Sequence, residues 1–288
     1  GNLGSGKSSI SKILMKKGYE IISTGTIFRE LAMEQNMSVE DFNQKVHEDS
    51  QKGDHSVDDL IDKRTTRMNE EKDNVVFDSR LAWNFAKGSF KVFVIVDIRE
   101  AARRVYNDSL RKETEDYETE EKCRLGLMNR QQIEMHRFKE IYGIDYFDMS
   151  NYNLIIESTN TTPEAIVEQI LLLFEAYKKG EFKRLVKLNP SSIYPTKSIA
   201  LCDKEERQDK EPLTVTMDCG MFYGIENQGV LLDAYKKKED FITVQVSPLQ
   251  KVEYLSQGEY EEFEEKTGIS YACYPNAEVL EDLSLLMF

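Results

Sequence analysis

Gly1-Asn2-Leu3-Gly4-Ser5-Gly6-Lys7-Ser8-Ser9 heads the sequence and satisfies the pattern G-x-x-x-x-G-K-[ST] at every fixed position. Each position has a physical task. Glycines at 1, 4 and 6 permit backbone conformations that a Cβ would forbid. The N–H groups of the loop, including those of Ser5 and Ser9, can then curl around phosphate oxygens at the positive end of the following helix. The motif implies that Lys7 reaches the β- and γ-phosphates of a nucleoside triphosphate and that the Ser8 hydroxyl joins the shell of the accompanying Mg²⁺. A chance match in such a chain is on the order of one per cent at average residue frequencies. The context agrees with the motif. Ser8 to Lys17 reads as a helix with Ile10, Ile13 and Leu14 on one face, stopped by Gly18. A loop of this kind hangs from a buried parallel strand, so a short apolar strand of native sequence is expected ahead of Gly1.

Beyond the loop, strands and helices alternate. Tyr19 to Ser23 reads as a strand, Thr24-Gly25-Thr26 as a turn and Ile27 to Glu34 as a helix. Ser38 and Ser56 head two further helix starts, the second running to about Glu71. Asn74 to Asp78, Lys91 to Asp97 and Asn153 to Glu157 are nearly continuous apolar runs, as buried parallel strands require. A helix runs from Glu100 to about Leu110. A charged run then leads into a long polar helix from about Glu118 to Tyr142, which reads as a helical lid over residues 111–145. Thr162-Pro163-Glu164 combines cap, N1 proline and first-turn acid, and that helix ends at Gly180. The pattern predicts an α/β fold with a doubly wound, mostly parallel sheet, whose ligands bind at the carboxyl ends of the strands.

Composition narrows the function classes. The chain has 288 residues, 40% of them apolar, and a formal net charge of −14. Both parts of the chain are acidic, so neither carries the electrostatic footprint of a nucleic-acid binder. No apolar run approaches the ~20 residues that span a bilayer. Cys123, Cys202, Cys219 and Cys273 lie far apart and show no metal-ligand spacing, which suits reduced thiols in a cytoplasm.

The residues at the other strand ends bear on the acceptor. Arg80 comes just after the strand ending at Asp78, where a guanidinium could clamp a phosphate through two parallel bonds. Arg29, on the helix after Thr24-Gly25, could reach the same place. Two such arginines suit an anionic acceptor; taken singly, each reads equally as a solvated arginine. The polar helix carries a basic row, Arg124, Arg130 and Arg137, with Glu134 four residues after Arg130. A basic flap suits phosphoryl transfer, and a solvated helix with i,i+4 ion pairs explains the same pattern. His47, His55 and His136 are dispersed and read as surface or structural residues.

Residues 1 to about 175 resemble the cytidylate kinases, most closely the short archaeal-type branch and its bacterial cytidylate kinase-like relatives. The resemblance rests on the loop, on Ser23-Thr24-Gly25-Thr26-Ile27-Phe28-Arg29-Glu30-Leu31-Ala32 and on Asp78-Ser79-Arg80-Leu81-Ala82. It continues through Arg130, Glu134, Arg137, Phe138 and Tyr142-Gly143-Ile144-Asp145 to Tyr152-Asn153-Leu154-Ile155-Ile156. It implies a P-loop nucleoside monophosphate kinase fold and phosphoryl transfer from ATP to CMP or dCMP. By that resemblance Thr24, Arg29 and Arg80 hold the acceptor phosphate, with Asp78 beside them. Arg130 and Glu134 match a lid pair facing the cytosine or its phosphate. Arg137 matches a lid arginine over the transferred group and, with Lys7 and Arg130, makes up the catalytic set. Departures are visible. Asp78-Ser79-Arg80 stands where the family usually has Glu-Gly-Arg, Trp83 stands where a glycine is common, and the lid insert from Lys112 to Glu121 is unusually acidic.

From about Glu181 a second, smaller α+β domain is expected, giving domains at 1–180 and 181–288. Leu213 to Met217 and Met221 to Ile225 read as a hairpin around Asp218-Cys219-Gly220. Gln228 to Lys237 reads as a helix, Phe241 to Val246 as a strand, and Lys251 to Lys266 as an acidic amphipathic helix. Residues 188–246 weakly resemble a ParB-like domain through Ile193-Tyr194-Pro195-Thr196 and Phe222-Tyr223-Gly224-Ile225-Glu226. That family's Gly-His-His-Arg or Gly-Glu-Arg-Arg stretch stands here as Glu226-Asn227-Gln228-Gly229, without its histidines or arginine. The expectation is a degenerate domain that folds on its own, does no chemistry and has a structural, regulatory or protein-contact role. The rivals to a CMP kinase are a P-loop kinase of another small acceptor and an ATP-gated binding protein without turnover.

Overall fold

The computed structural model describes residues 1–109, 117–204, 211–218, 221–248, 250–271 and 274–275. The chain forms two compact units. One holds Lys7–Lys91 and Tyr146–Tyr152; the other holds Gly1–Gly6, Val92–Asp145 and Asn153–Phe288.

In the first unit, α1 (Lys7–Lys16) buries Ile10 and Leu14 against the sheet, and Gly18 (φ 96°) turns the chain back. Next come β1 (Glu20–Ser23), α2 (Thr24–Glu34), α3 (Val39–Gln51), α4 (Ser56–Glu71), β2 (Val75–Asp78) and the short α5 (Ala82–Phe85). β1 and β2 pair in parallel, from Glu20 opposite Val75 to Ser23 opposite Asp78. Ile22, Ile27, Leu31, Ala32, Phe42 and Val57 form their core. The turn expected at Thr24-Gly25-Thr26 is instead the first turn of α2. Ser23 Oγ accepts the Thr26 N–H at 3.1 Å, so the cap lies three residues earlier than the apolar pattern suggests. α4 starts at Ser56 as expected, but His55 occupies the cap position and makes no side-chain cap bond.

The second unit contains β3 (Val92–Ile95), α6 (Ile98–Tyr106), α7 (Glu120–Tyr142), β4 (Leu154–Glu157), α8 (Pro163–Lys178), β5 (Leu185–Leu188) and β6 (Ile193–Tyr194). It continues with α9 (Ile199–Lys204), β7 (Leu213–Asp218), β8 (Met221–Glu226), α10 (Gly229–Lys237), β9 (Ile242–Val246) and α11 (Gln257–Thr267). The strands form one seven-stranded sheet in the order β3-β4-β5-β9-β7-β8-β6. β3, β4 and β5 are mutually parallel, and every residue of β4 is buried. The expected α/β fold with parallel pairing at the apolar strands is present in both units.

The sheet runs across residue 180 without a break. Gly180 (φ 74°) does end α8, but the chain returns at once as β5, with Leu154, Ile155 and Ile156 of β4 opposite Leu185, Val186 and Lys187. A division at 180 therefore does not follow the sheet. β5 pairs antiparallel with β9, and β9 joins the β7–β8 hairpin. The hairpin lies where the sequence put it; Cys219 and Gly220 at its turn, like residues 110–116 of the lid insert, fall outside the described residues. α6 stops at Tyr106, short of the expected Leu110. The acidic helix is also shorter than expected. Ser256 and Glu259 form a capping box that starts it at Gln257, and residues 251–256 reach it as irregular chain. The far end of the sheet has an aromatic core in which buried hydroxyls find partners: Tyr235 donates to Ile193 O at 2.8 Å, and Tyr260 to Pro195 O at 3.2 Å.

Candidate active site

The glycine-rich loop is built by close approach. Asn2 N–H donates to Val94 O at 3.1 Å, which lays the start of the loop against β3. A Cβ on Gly1 would lie 2.4 Å from that same carbonyl oxygen, and one on Gly4 would lie 2.8–2.9 Å from Ala101. Gly4 and Gly6 both have positive φ, 70° and 79°. Leu3 anchors the loop in the cluster of Val96, Ala101, Ala102, Val105, Cys123 and Leu127. Ser5, 1% exposed, donates its Oγ to Asn2 O at 2.9 Å and closes the turn.

An arginine that the sequence pattern does not single out props this loop. Arg104 Nη2 donates to Ser158 O at 2.6 Å and Thr159 O at 3.0 Å, and its Nη1 reaches Gly4 O at 3.5 Å. Ser158 Oγ lies 3.2 Å from both Ser5 O and Ile95 O. Glu100 Oε1 holds Arg104 Nε at 2.7 Å, while Arg103 pairs with the same carboxylate. Burial pushes the Glu100 carboxyl up, but the hydrogen bonds and charges of the two arginines outweigh it and leave it below the usual carboxylate range. The Glu100–Arg104 spacing of four residues on one helix was the available signal.

In the other unit, α1 returns through Gly18 into β1. A helix of ten residues is about 15 Å long and a four-residue strand about 13 Å. The first turn of α1, with half-buried Lys7 and exposed Ser8 and Ser9, therefore lies at the carboxyl end of β1 and β2. Arg29 is exposed on α2 and folds back toward that end, its Nη2 3.4 Å from Thr26 Oγ1. Thr24 is exposed beside it. Half-buried Asp78 and Arg80 lead on from the end of β2, and Leu81 N donates to Ser79 Oγ at 3.4 Å. Trp83, in the short helix just beyond, packs against Tyr152 at 5.6 Å with Lys91 Nζ over its ring. The pairing of β1 with β2 thus brings Thr24, Arg29, Asp78 and Arg80 to the same end as Lys7 and Ser8.

α7, the helix expected to act as a lid, has 23 residues, starts at a Thr119 cap and ends at Gly143 in the left-handed region. Arg130 and Arg137 are exposed on it, and Arg130 Nε pairs with Glu134 Oε1 at 3.3 Å. Arg124 does not belong to that row. It is buried on the face that packs on α6, held by Glu121 at 2.7 and 2.8 Å and by the Met128 sulfur at 3.4 Å. The six-residue step from Arg124 to Arg130 turns it well away from the exposed pair.

Beyond β8, Asn227 takes a left-handed conformation (φ 58°) and α10 begins at Gly229. Gln228 is fully buried. Its Oε1 accepts from Thr196 N at 2.9 Å, and its Nε2 donates to Thr196 Oγ1 at 2.9 Å, which fills the space over Gly224. Among the described residues no group of three or more His, Cys, Asp or Glu could hold a metal, and no helix is long and apolar enough to cross a membrane. Cys123 and Cys202 are buried thiols that reach Ala102 O at 3.6 Å and Lys197 O at 3.4 Å.

A family model for the cytidylate kinase-like family matches residues 1–160. The cytidylate kinase of Archaeoglobus fulgidus is 33% identical over 177 residues, 61% of this chain and 92% of that protein. That of Methanothermobacter thermautotrophicus is 30% identical over 166 residues, 57% and 96% of the two chains. That of Thermoplasma volcanium is 32% identical over 186 residues, 63% and 92%. These matches span the glycine-rich loop, the paired strands β1 and β2 and the long helix α7, and the chain belongs to the cytidylate kinase-like family.

Proposed function

We propose that this chain is an ATP-dependent nucleoside monophosphate kinase that moves the γ-phosphoryl group to CMP or dCMP. The reading rests on one observation above the others. The parallel register that ends with Ser23 opposite Asp78 gathers Thr24, Arg29 and Arg80 at the end of the sheet where α1 begins with Lys7 and Ser8. Cations at that end suit two phosphorylated substrates better than one. The names of the archaeal relatives favour cytidine as the acceptor base.

The loop N–H groups and Lys7 hold the donor phosphates and offset charge on them. The exposed Ser8 hydroxyl fits a Mg²⁺ ion, because that ion takes oxygen ligands largely from substrate phosphates and water and needs no cage of carboxylates. Bound with ATP and held in part by Ser8, Mg²⁺ would supply charge neutralisation on the donor phosphates. Arg29 and Arg80 orient the acceptor phosphate for in-line attack, with Thr24 as a further hydrogen-bond donor and Asp78 an acceptor beside them. By the family resemblance Arg130, paired with Glu134, and Arg137 would act on the transferred phosphoryl group. The acceptor phosphate is already an anion at neutral pH, so positioning supplies most of the acceleration and no strong general base is needed. The part beyond residue 180 does no chemistry of its own: Gln228 fills the space over Gly224 with its own amide.

A coupled ADP-release screen across the nucleoside monophosphates tests this. The highest kcat/KM is expected for CMP and dCMP. Preference for another acceptor would keep the kinase and change its substrate, and background ADP release with every acceptor would make the chain an ATP-gated binder.

A further inference from the structure

β4 ends at Glu157, and residues 158–162 connect it to α8. One side of this connection touches the glycine-rich loop through Ser158 and Arg104. The other side is held by residues that lie beyond the stretch shared with the family. Asn189, 7% exposed, comes directly after β5. Its Nδ2 donates to Asp240 O at 3.0 Å and reaches Thr161 Oγ1 at 3.3 Å and Asn160 O at 3.4 Å. Its Oδ1 is fixed by Ser191 N at 2.9 Å and Ser191 Oγ at 2.6 Å. Asn160 Nδ2 returns a bond to Ser192 Oγ at 3.1 Å, and Glu157 accepts the Thr159 N–H at 2.5 Å.

An amide with both ends fixed is a rigid spacer, because neither its rotamer nor its flip is free. The β4–β5 ladder sets the register of Asn189 against the connection, and the Asp240 carbonyl ties the same amide to the start of β9. The path runs by hydrogen bonds from Asp240 O through the Asn189 amide to Asn160 O and Thr161 Oγ1, along the chain to Ser158, and from Ser158 by hydrogen bonds to Ser5 O directly and to Gly4 O through Arg104. A buried network of this kind has few alternative arrangements, so loss of one member displaces its neighbours.

We infer that Asn189 is a positioning residue for the phosphate loop. Through residues 158–161 it holds the backbone of Gly4 and Ser5 in the form that receives the donor triphosphate, so that the part of the chain beyond the family match sets affinity for ATP. This inference rests on the kinase reading for its activity measurements and on the loop alone for its binding measurement.

The test uses the full chain. Asn189→Ala should raise KM for ATP about ten-fold, leave KM for CMP within about two-fold and leave kcat within about three-fold. Thr161→Val, nearly isosteric, removes a single acceptor and should raise KM for ATP about three-fold; it decides the matter if Asn189→Ala does not fold. Tyr235→Phe is the control for plain destabilisation. It loses the bond to Ile193 O in the same part of the chain, should lower Tm and should leave both KM values unchanged. An unchanged KM for ATP in the folded variants, a parallel rise in both KM values, or an equal effect of Tyr235→Phe would each overturn the inference. Calorimetric titration with Mg²⁺–ATP separates the two readings. If the wild-type chain binds ATP but transfers to no acceptor, the kinase reading fails, while a ten-fold weaker Kd in Asn189→Ala still supports the positioning role. A wild-type chain that binds no ATP overturns both.

Discussion

Ser23 and Asp78 are opposed Cα partners at the last rung of the β1–β2 ladder. Because the strands are parallel, the residues next in the chain after each of them emerge at one end and one level of the sheet. Those residues are Thr24 with Arg29 from one strand and Arg80 from the other. The register therefore brings Arg80 level with Thr24, and on the kinase reading proposed above Arg80 holds the acceptor.

Arg80→Ala should lower kcat/KM for CMP on the order of 10²-fold, the loss of charge-assisted bonds worth about 2–3 kcal/mol. Most of the change should fall on KM for the acceptor, with the Kd for ATP barely moved. An equal loss of ATP binding would transfer Arg80 to the donor side. Lys7→Ala should instead abolish turnover with every acceptor.

Gly4→Ala tests the close packing of the loop. A side chain at φ 70° costs about 1–2 kcal/mol by conformation alone. Its Cβ would also meet the Cα and carbonyl oxygen of Ala101 at 2.9 Å, and backbone does not yield cheaply. Scanning calorimetry should show Tm lower by several degrees, together with weaker ATP binding. A variant with wild-type Tm and affinity would mean that the loop is free to move off α6.

Glu157 gives a pH signature. Burial raises its carboxyl above the usual range, and hydrogen bonds from Thr159 and Ser192 oppose that only in part. The folded state thus holds this proton more tightly than the unfolded chain, whose glutamates titrate near about 4.3. The contribution to stability is full below the unfolded value and is lost as pH rises through the folded one. Glu157→Gln stays neutral throughout, so its Tm minus that of the wild type should grow from pH 4 toward higher pH. A constant difference would show that folding does not raise the Glu157 carboxyl above its value in the unfolded chain.

Cutting the chain near Gly180 removes the partner of β4. Leu154, Ile155 and Ile156 are fully buried in the intact chain, and without β5 their backbone becomes a free edge. The shortened protein should melt lower and associate in a concentration-dependent way in sedimentation measurements. A monomer at every concentration, with the Tm of the full chain, would show that β5 adds nothing to β4.

Much of this arrangement is legible in the residues themselves. β3 and β4 stand out because a strand covered on both faces must be apolar along its whole length. The loop is legible because few backbones other than Gly-x-x-x-x-Gly-Lys-Ser can approach phosphate so closely. β5 is hidden for the opposite reason. Only Val186 and Leu188 of its four residues are buried, and basic Lys183 and Arg184 precede it, so Leu185–Leu188 looks like linker. Arg104 is hidden because its partners are the carbonyls of Gly4, Ser158 and Thr159, which any sequence supplies. Arg124 misleads because an arginine three residues after a glutamate has the same pattern whether the pair is solvated or, as here, packed under a helix.

The order of strands in the large sheet also sets a timetable for synthesis. β9 lies between β5 and β7 in space, yet it comes after both in sequence. Until Val246 has left the ribosome, the β7–β8–β6 ribbon has no strand that pairs it to β3–β4–β5. At about 5–20 residues per second, the interval between Leu188 and Val246 lasts roughly 3–12 s. Throughout it, the outer edge of β5 is open to any strand that arrives, and the native partner is the last to come. The nascent chain is therefore most exposed to mispairing when its phosphate loop and lid are already made, and a chaperone that holds this edge would act in that window.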